Sequence, residues 1–147
     1  MLKAYACKVK TKLLTKKSFY SILLLSSVFS VMFLTLQSPE ETVHLSEAVR
    51  RCLECVGIYC DFHSVRSNVH YFVYFILGFF LCLFGKEHKM KWWALLLFGG
   101  VFALLDEGIK IFLPTREFDA IDLMKDWIGV SLAVVIVIGW NRMHKKY

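Results

Sequence analysis

The sequence predicts an all-α, polytopic membrane protein: four transmembrane helices, with an extracytoplasmic amphipathic helix between the first and second. An apolar excess, its clustering into four runs and a segregation of charge lead to that class. Of 147 residues, 57% are hydrophobic, 16% aromatic and only 20% charged, with mean hydropathy +0.54. A soluble domain of this size needs more charge to cover its surface. Residues 19–36, 92–105 and 127–140 contain no charged side chain, and residues 69–84 contain none beyond His70. Crossing a hydrocarbon core of about 30 Å takes roughly 20 helical residues. The last three runs must therefore borrow polar flanks.

The elements follow in order. Residues 1–18 form a basic tail carrying Lys3, Lys8, Lys10, Lys12, Lys16 and Lys17 without an acid. Residues 19–36 are the first span. No small-x-small site follows them at residues 34–38, so they read as a retained span rather than a cleaved leader. The loop after the second span carries Lys86, Lys89 and Lys91 against Glu87, and the tail at 141–147 adds Arg142, Lys145 and Lys146. These segments hold 12 bases and one acid, whereas the other connections hold 6 bases and 11 acids. Positive charge stays inside, so both termini are expected in the cytoplasm and the chain in the cell membrane. The net charge of +6 then reflects orientation and attraction to anionic lipid. Nucleic acid is excluded as a partner, because the bases are split among short segments with no domain to organise them.

Residues 37–68 form the one sizeable outer loop. Within it Leu45, Val49, Cys52 or Leu53, and Val56 recur at helical spacing between Glu47, Arg50, Arg51 and Glu54. This predicts an amphipathic helix with Ser46 as N-cap and Gly57 as its stop, lying on the membrane surface or the bundle. Pro39 and Pro114 fall at span-to-loop junctions. Trp92, Trp93, Trp127 and Trp140 sit at span ends, as interfacial anchors.

A useful third span runs over about residues 92–112 and includes Asp106, Glu107 and Lys110; the fourth, over about 121–140, includes Asp122, Lys125 and Asp126. The second needs Arg66, Asn68 and His70 at its outer end. Ionisable groups thus gather at one depth. A charge at membrane depth is expensive and faces the bundle interior. Asp122 sits at the favourable positive end of its helix, whereas Asp106 and Glu107 approach the negative end of theirs. They call for a compensating cation, from Lys110, Arg116 or Arg66. Two readings stay open: solvated ion pairs that hold the helix ends together, or a pocket for a headgroup, ion or polar ligand. The pocket residues are Arg66, Asn68, His70, Tyr74, Asp106, Glu107, Arg116, Asp122 and Asp126.

The run at residues 65–78 opens a span with Arg66, Asn68, His70, Tyr71 and Tyr74. Further on come Asp106-Glu107, Phe112, Pro114, Arg116, Asp122, Asp126 and Gly129. Both stretches resemble the VanZ-like family, bacterial integral membrane proteins associated with teicoplanin resistance, and the likeness covers about residues 19–140. It implies a cell-envelope role and no particular reaction. The chain departs from the family pattern at Ile109-Lys110, where His-Gln is common, at Thr115, a glycine in the family's turn, and at Val73, often acidic. These changes remove polar groups from the pocket.

Cys52, Cys55, Cys60 and His63 have a ligand-like spacing, and free thiols, a disulfide or a metal all remain open for them. Cys7 and Cys82 suggest no chemistry. No cofactor motif is present, and neither a cofactor nor a metal is expected. His70 shares a helical face with Tyr74; a hydrogen bond to an acid of span three or four is its expected role, with proton transfer or metal ligation as alternatives.

Whether the chain is an enzyme stays open. In one reading the pocket binds a lipid-linked cell-wall precursor or a glycopeptide, with Arg66 and Arg116 holding anionic oxygens and Asp106, Glu107 and Asp122 accepting hydroxyls. In another, a membrane enzyme modifies an envelope lipid or precursor by acid–base or metal-assisted chemistry, although Ser-x-x-Lys, His-Glu-x-x-His and Gly-rich phosphate motifs are missing. A transporter is the least supported, because the charges lie at span ends and not at the midplane.

Overall fold

The computed structural model describes the backbone of residues 2–114 and 116–144, and the side chains of residues 16–143 other than His63, Arg66 and Thr115. Among these residues the fold is five helices without a strand: α1 (Leu2–Leu36), α2 (Pro39–Cys55), α3 (Phe62–Glu87), α4 (Trp92–Lys110) and α5 (Ala120–His144). Within them, Lys16–Leu36, Ser67–Glu87 and Trp92–Lys110 are long and apolar enough to cross a membrane.

Residues 2–36 contain neither Gly nor Pro, so the basic tail continues into the first span as one helix of 35 residues. Its apolar side chains are largely uncovered: Phe29 is 73% exposed and Leu25 66%. Val135 on α5 and Leu105 on α4 are exposed as well. An apolar belt of this extent has no place in water and matches a lipid surface.

The amphipathic helix begins earlier than its apolar pattern suggests. Ser38, not Ser46, is the N-cap. Its hydroxyl accepts from the Glu41 N–H at 3.3 Å, while the Glu41 carboxylate accepts from the Ser38 N–H at 2.9 Å. This reciprocal capping satisfies two orphan donors, and Pro39 at the first helical position has no N–H to orphan. Ser46 instead lies inside α2, 5% exposed, donating to the Thr42 carbonyl at 2.8 Å. The stop does fall at Gly57, whose φ of 86° follows the last turn. Along α2, half-buried Arg50 is clasped by Glu47 and Glu54. The Arg50 guanidinium holds the Glu47 carboxyl down at about 2.

α3 starts at Asp61, whose carboxylate accepts from the Ser64 N–H at 3.0 Å. The most extensive helix pair is α3 with α5. Early residues meet early ones (His70 with Asp126) and late meet late (Lys86 with Asn141), so the two helices run parallel. They approach closely because glycine lines the seam. A Cβ on Gly129 would stand 2.6 Å from the Tyr71 carbonyl oxygen, and one on Gly78 would stand 3.0 Å from the Val130 Cα. Leu77, Leu81, Val130 and Val134 fill the seam, joined by Val31 of α1 and by Leu95 and Ala103 of α4.

Candidate functional site

Four helix ends and α2 meet at one end of the bundle: α1 and α4 finish there, α3 and α5 begin there. Asp106, on the last turns of α4, is 2% exposed. It accepts from the Thr35 hydroxyl of α1 at 2.5 Å and from the Tyr74 hydroxyl of α3 at 2.8 Å. The cation expected for Asp106 is therefore replaced by two hydroxyl donors. Charge-assisted hydrogen bonds of this kind satisfy a carboxylate without burying a second ion.

Glu107 does take a cation. It is fully buried and paired with Lys110 one turn on, itself 5% exposed. Its second oxygen accepts from the Asp119 N–H at 3.3 Å. Asp119 in turn opens α5, its carboxylate accepting from the Ile121 N–H at 2.7 Å.

His70 bridges two acids of α5. Its Nδ1 lies 3.0 Å from Asp126 Oδ1 and its Nε2 lies 3.3 Å from Asp122 Oδ2. This is the contact expected from its position on the Tyr74 face. A neutral ring donates through one nitrogen only, whereas an imidazolium donates through both. Lys125 donates to Asp122 at 2.6 Å. Arg116, from the connection between α4 and α5, donates to the Gln37 carbonyl at 2.8 Å and to Thr42 Oγ1 at 2.6 Å, tying that connection to the junction of α1 and α2.

Between these groups lies a cavity of 730 Å³. Its polar end holds His70, Tyr74, Asp106, Lys110, Arg116, Asp122 and Lys125. Val31 and Leu34 of α1, Leu45 and Val49 of α2, and Val69, Phe72 and Val73 of α3 make apolar walls. Of the residues expected at a pocket, His70, Tyr74, Asp106, Arg116 and Asp122 line this cavity. Glu107 and Asp126 stand behind it, bonded to the lining residues Lys110 and His70. Asn68 is exposed and outside the lining, because two residues along a helix turn it about 200° away from His70. The side chain of Arg66 lies outside the described residues, as do those of Cys7 and His63. Cys52 and Cys55 are exposed, Cys60 is half-buried, and all three are free thiols.

Thr35, Thr42 and Lys125 were not expected in the site. Thr35 follows Val31 by four residues on the inner face of α1, a weak signal in an apolar span. Lys125 was visible as a neighbour of Asp122, but its place at the cavity depends on the tertiary fold.

An apolar belt around long helices, with a polar chamber at one end, defines an α-helical membrane protein. The chain matches the VanZ/LLP1 family over residues 10–141 and belongs to that family. No match was found among curated proteins or among solved structures.

Proposed function

We propose that this VanZ/LLP1 member is a bacterial cell-envelope protein that spans the cell membrane four times, with both termini cytoplasmic and α5 as the fourth span. It binds an amphiphilic envelope component in the cavity at the α2 end and so lowers susceptibility to teicoplanin-type glycopeptides. The observation that carries this reading is the cavity's two-part lining: an apolar slot between α1, α2 and α3 leads to a polar end built from α3, α4, α5 and the α4–α5 connection. Such a shape suits a lipid tail joined to a polar head, as in a lipid-linked cell-wall precursor or a lipid-tailed glycopeptide. Arg116, Lys110 and Lys125 offer donors to anionic oxygens, and Asp122 offers acceptors to hydroxyls or amines.

The test compares teicoplanin and vancomycin inhibition in a host carrying wild type, Asp122→Asn, Arg116→Ala or an empty vector, at matched membrane levels. Selective protection against teicoplanin that both substitutions remove supports the reading. Equal protection by both variants refutes the cavity as its seat, and no protection by wild type refutes the resistance role. A second reading, a membrane enzyme acting on an envelope lipid or precursor, draws on His70 set between two carboxylates, an arrangement suited to acid–base work.

A further inference from the structure

We infer that His70, Glu107 and Asp126 form a binding site for one divalent cation, behind the polar end of the cavity. One ligand atom from each residue lies within 4.8 Å of the others, and the three come from α3, α4 and α5. Bonds of 2.0–2.2 Å to a small divalent ion place adjacent ligands roughly 3–3.5 Å apart, and Nδ1 of His70 stands 3.0 Å from Asp126 Oδ1.

Two independent observations point to an ion there. The first is an orphan: Asp126 is fully buried, yet its Oδ2 has no hydrogen-bond partner among the described residues. A buried carboxylate oxygen left without a donor is costly unless something positive meets it. The second is charge balance. Among the described residues the buried charged side chains are Asp106, Glu107, Asp126 and Lys110, three carboxylates against one ammonium. A doubly charged ion makes up the difference.

The surroundings have the form of an outer shell. A metal-bound histidine commonly donates its other nitrogen to a carboxylate, which fixes the tautomer and the ring plane. Here Nε2 of His70 faces Asp122 at 3.3 Å, and Lys125 holds Asp122 at 2.6 Å, leaving Nδ1 for the ion. Lys110 occupies Oε1 of Glu107, while Oε2 has only the Asp119 amide at 3.3 Å and keeps lone pairs to give. One imidazole and two carboxylates suit Zn²⁺ or Mn²⁺ better than Cu⁺. This site stands whether or not the cavity takes a lipid.

The experiment uses the full chain purified in detergent, stripped with a chelator and titrated with Mn²⁺ by paramagnetic resonance and with Zn²⁺ by thermal unfolding. Wild type is expected to bind roughly one ion per chain and to unfold at a higher temperature as the ion is added. Asp126→Asn and His70→Ala are expected to lose saturable binding. Asp122→Asn should weaken it by about 10–100-fold through loss of ring orientation, and Glu47→Gln on α2 should leave it unchanged. His70 is partly exposed, so its variant reports on binding even where Asp126→Asn fails to insert. No saturable binding by wild type overturns the site. So does binding of wild-type affinity in His70→Ala, or metal-free protein whose unfolding follows pH but ignores both ions, which would assign a proton instead.

Discussion

The two ends of the α3–α5 pair are held by different forces. Away from α2, the seam is glycine, valine and leucine in close contact, with Gly78 against Val130 and with Leu81 and Val134 buried. At the α2 end, the same two helices meet through His70, Asp122 and Asp126. Dispersion between closely fitted surfaces acts everywhere along the first half, so it fixes the fold without calling for any particular polar partner. Ionisable groups in the second half are expensive to bury and satisfied one by one. A bundle needs only the first half to assemble. The second half is the part that lines the cavity.

Substitutions separate the halves. The largest effect is expected from Gly78→Leu, which drives a side chain into the Val130 backbone and should part the two helices. It is read as loss of monodisperse protein after detergent extraction. Lys110→Met, which leaves Glu107 buried and uncompensated, comes next at about 3–5 kcal/mol in a rigid site and less where water enters. Pairing it with Glu107→Gln should recover most of that loss in unfolding by mixed micelles. A double variant no more stable than Lys110→Met alone would contradict the view that this end is satisfied pair by pair. Tyr74→Phe removes one of the two donors to Asp106 and should cost about 1–2 kcal/mol. The helix content of the bundle should be intact by circular dichroism.

The smallest effect lies on α2. Glu47 is held at about 2 by Arg50 in the folded chain, below its ordinary value. A lowered carboxyl stabilises the folded state above its unfolded value, about 4.3, and that contribution fades as pH falls toward 2. Glu47→Gln should therefore lose this small contribution at pH 7 and flatten the shallow acid-side loss of α2 helicity, so that variant and wild type converge as the pH falls toward 2. A surface pair of this kind is worth little.

The sequence carries some of this plainly. Asp106, Glu107 and His70 announce a shared depth because each lies near the same end of a helix long and apolar enough to cross a membrane, and Asp122 and Asp126 fall at the start of the apolar helix that follows. Their partners are less visible. Nothing local links Thr35 to Asp106, since a hydroxyl bond 71 residues apart depends on how α1 is rotated against α4. Asn68 looked equivalent to His70 in a motif run, yet the helical turn separates them. The start of α2 was legible in Ser38-Pro39-Glu40-Glu41 as a capping box. Its proline reads as an end when only the preceding span is considered, and as a beginning when the following helix is.

Arg116 reaches back across 79 residues to the Gln37 carbonyl, and across 74 to Thr42. During synthesis these bonds do not exist until residue 116 has left the ribosome. Until then α1 and α2 have no tie to the α4–α5 turn, and the chamber has no finished wall. Completion of the chamber thus waits for residue 116: a nascent chain halted before it carries the first three apolar helices but lacks the clasp that closes them.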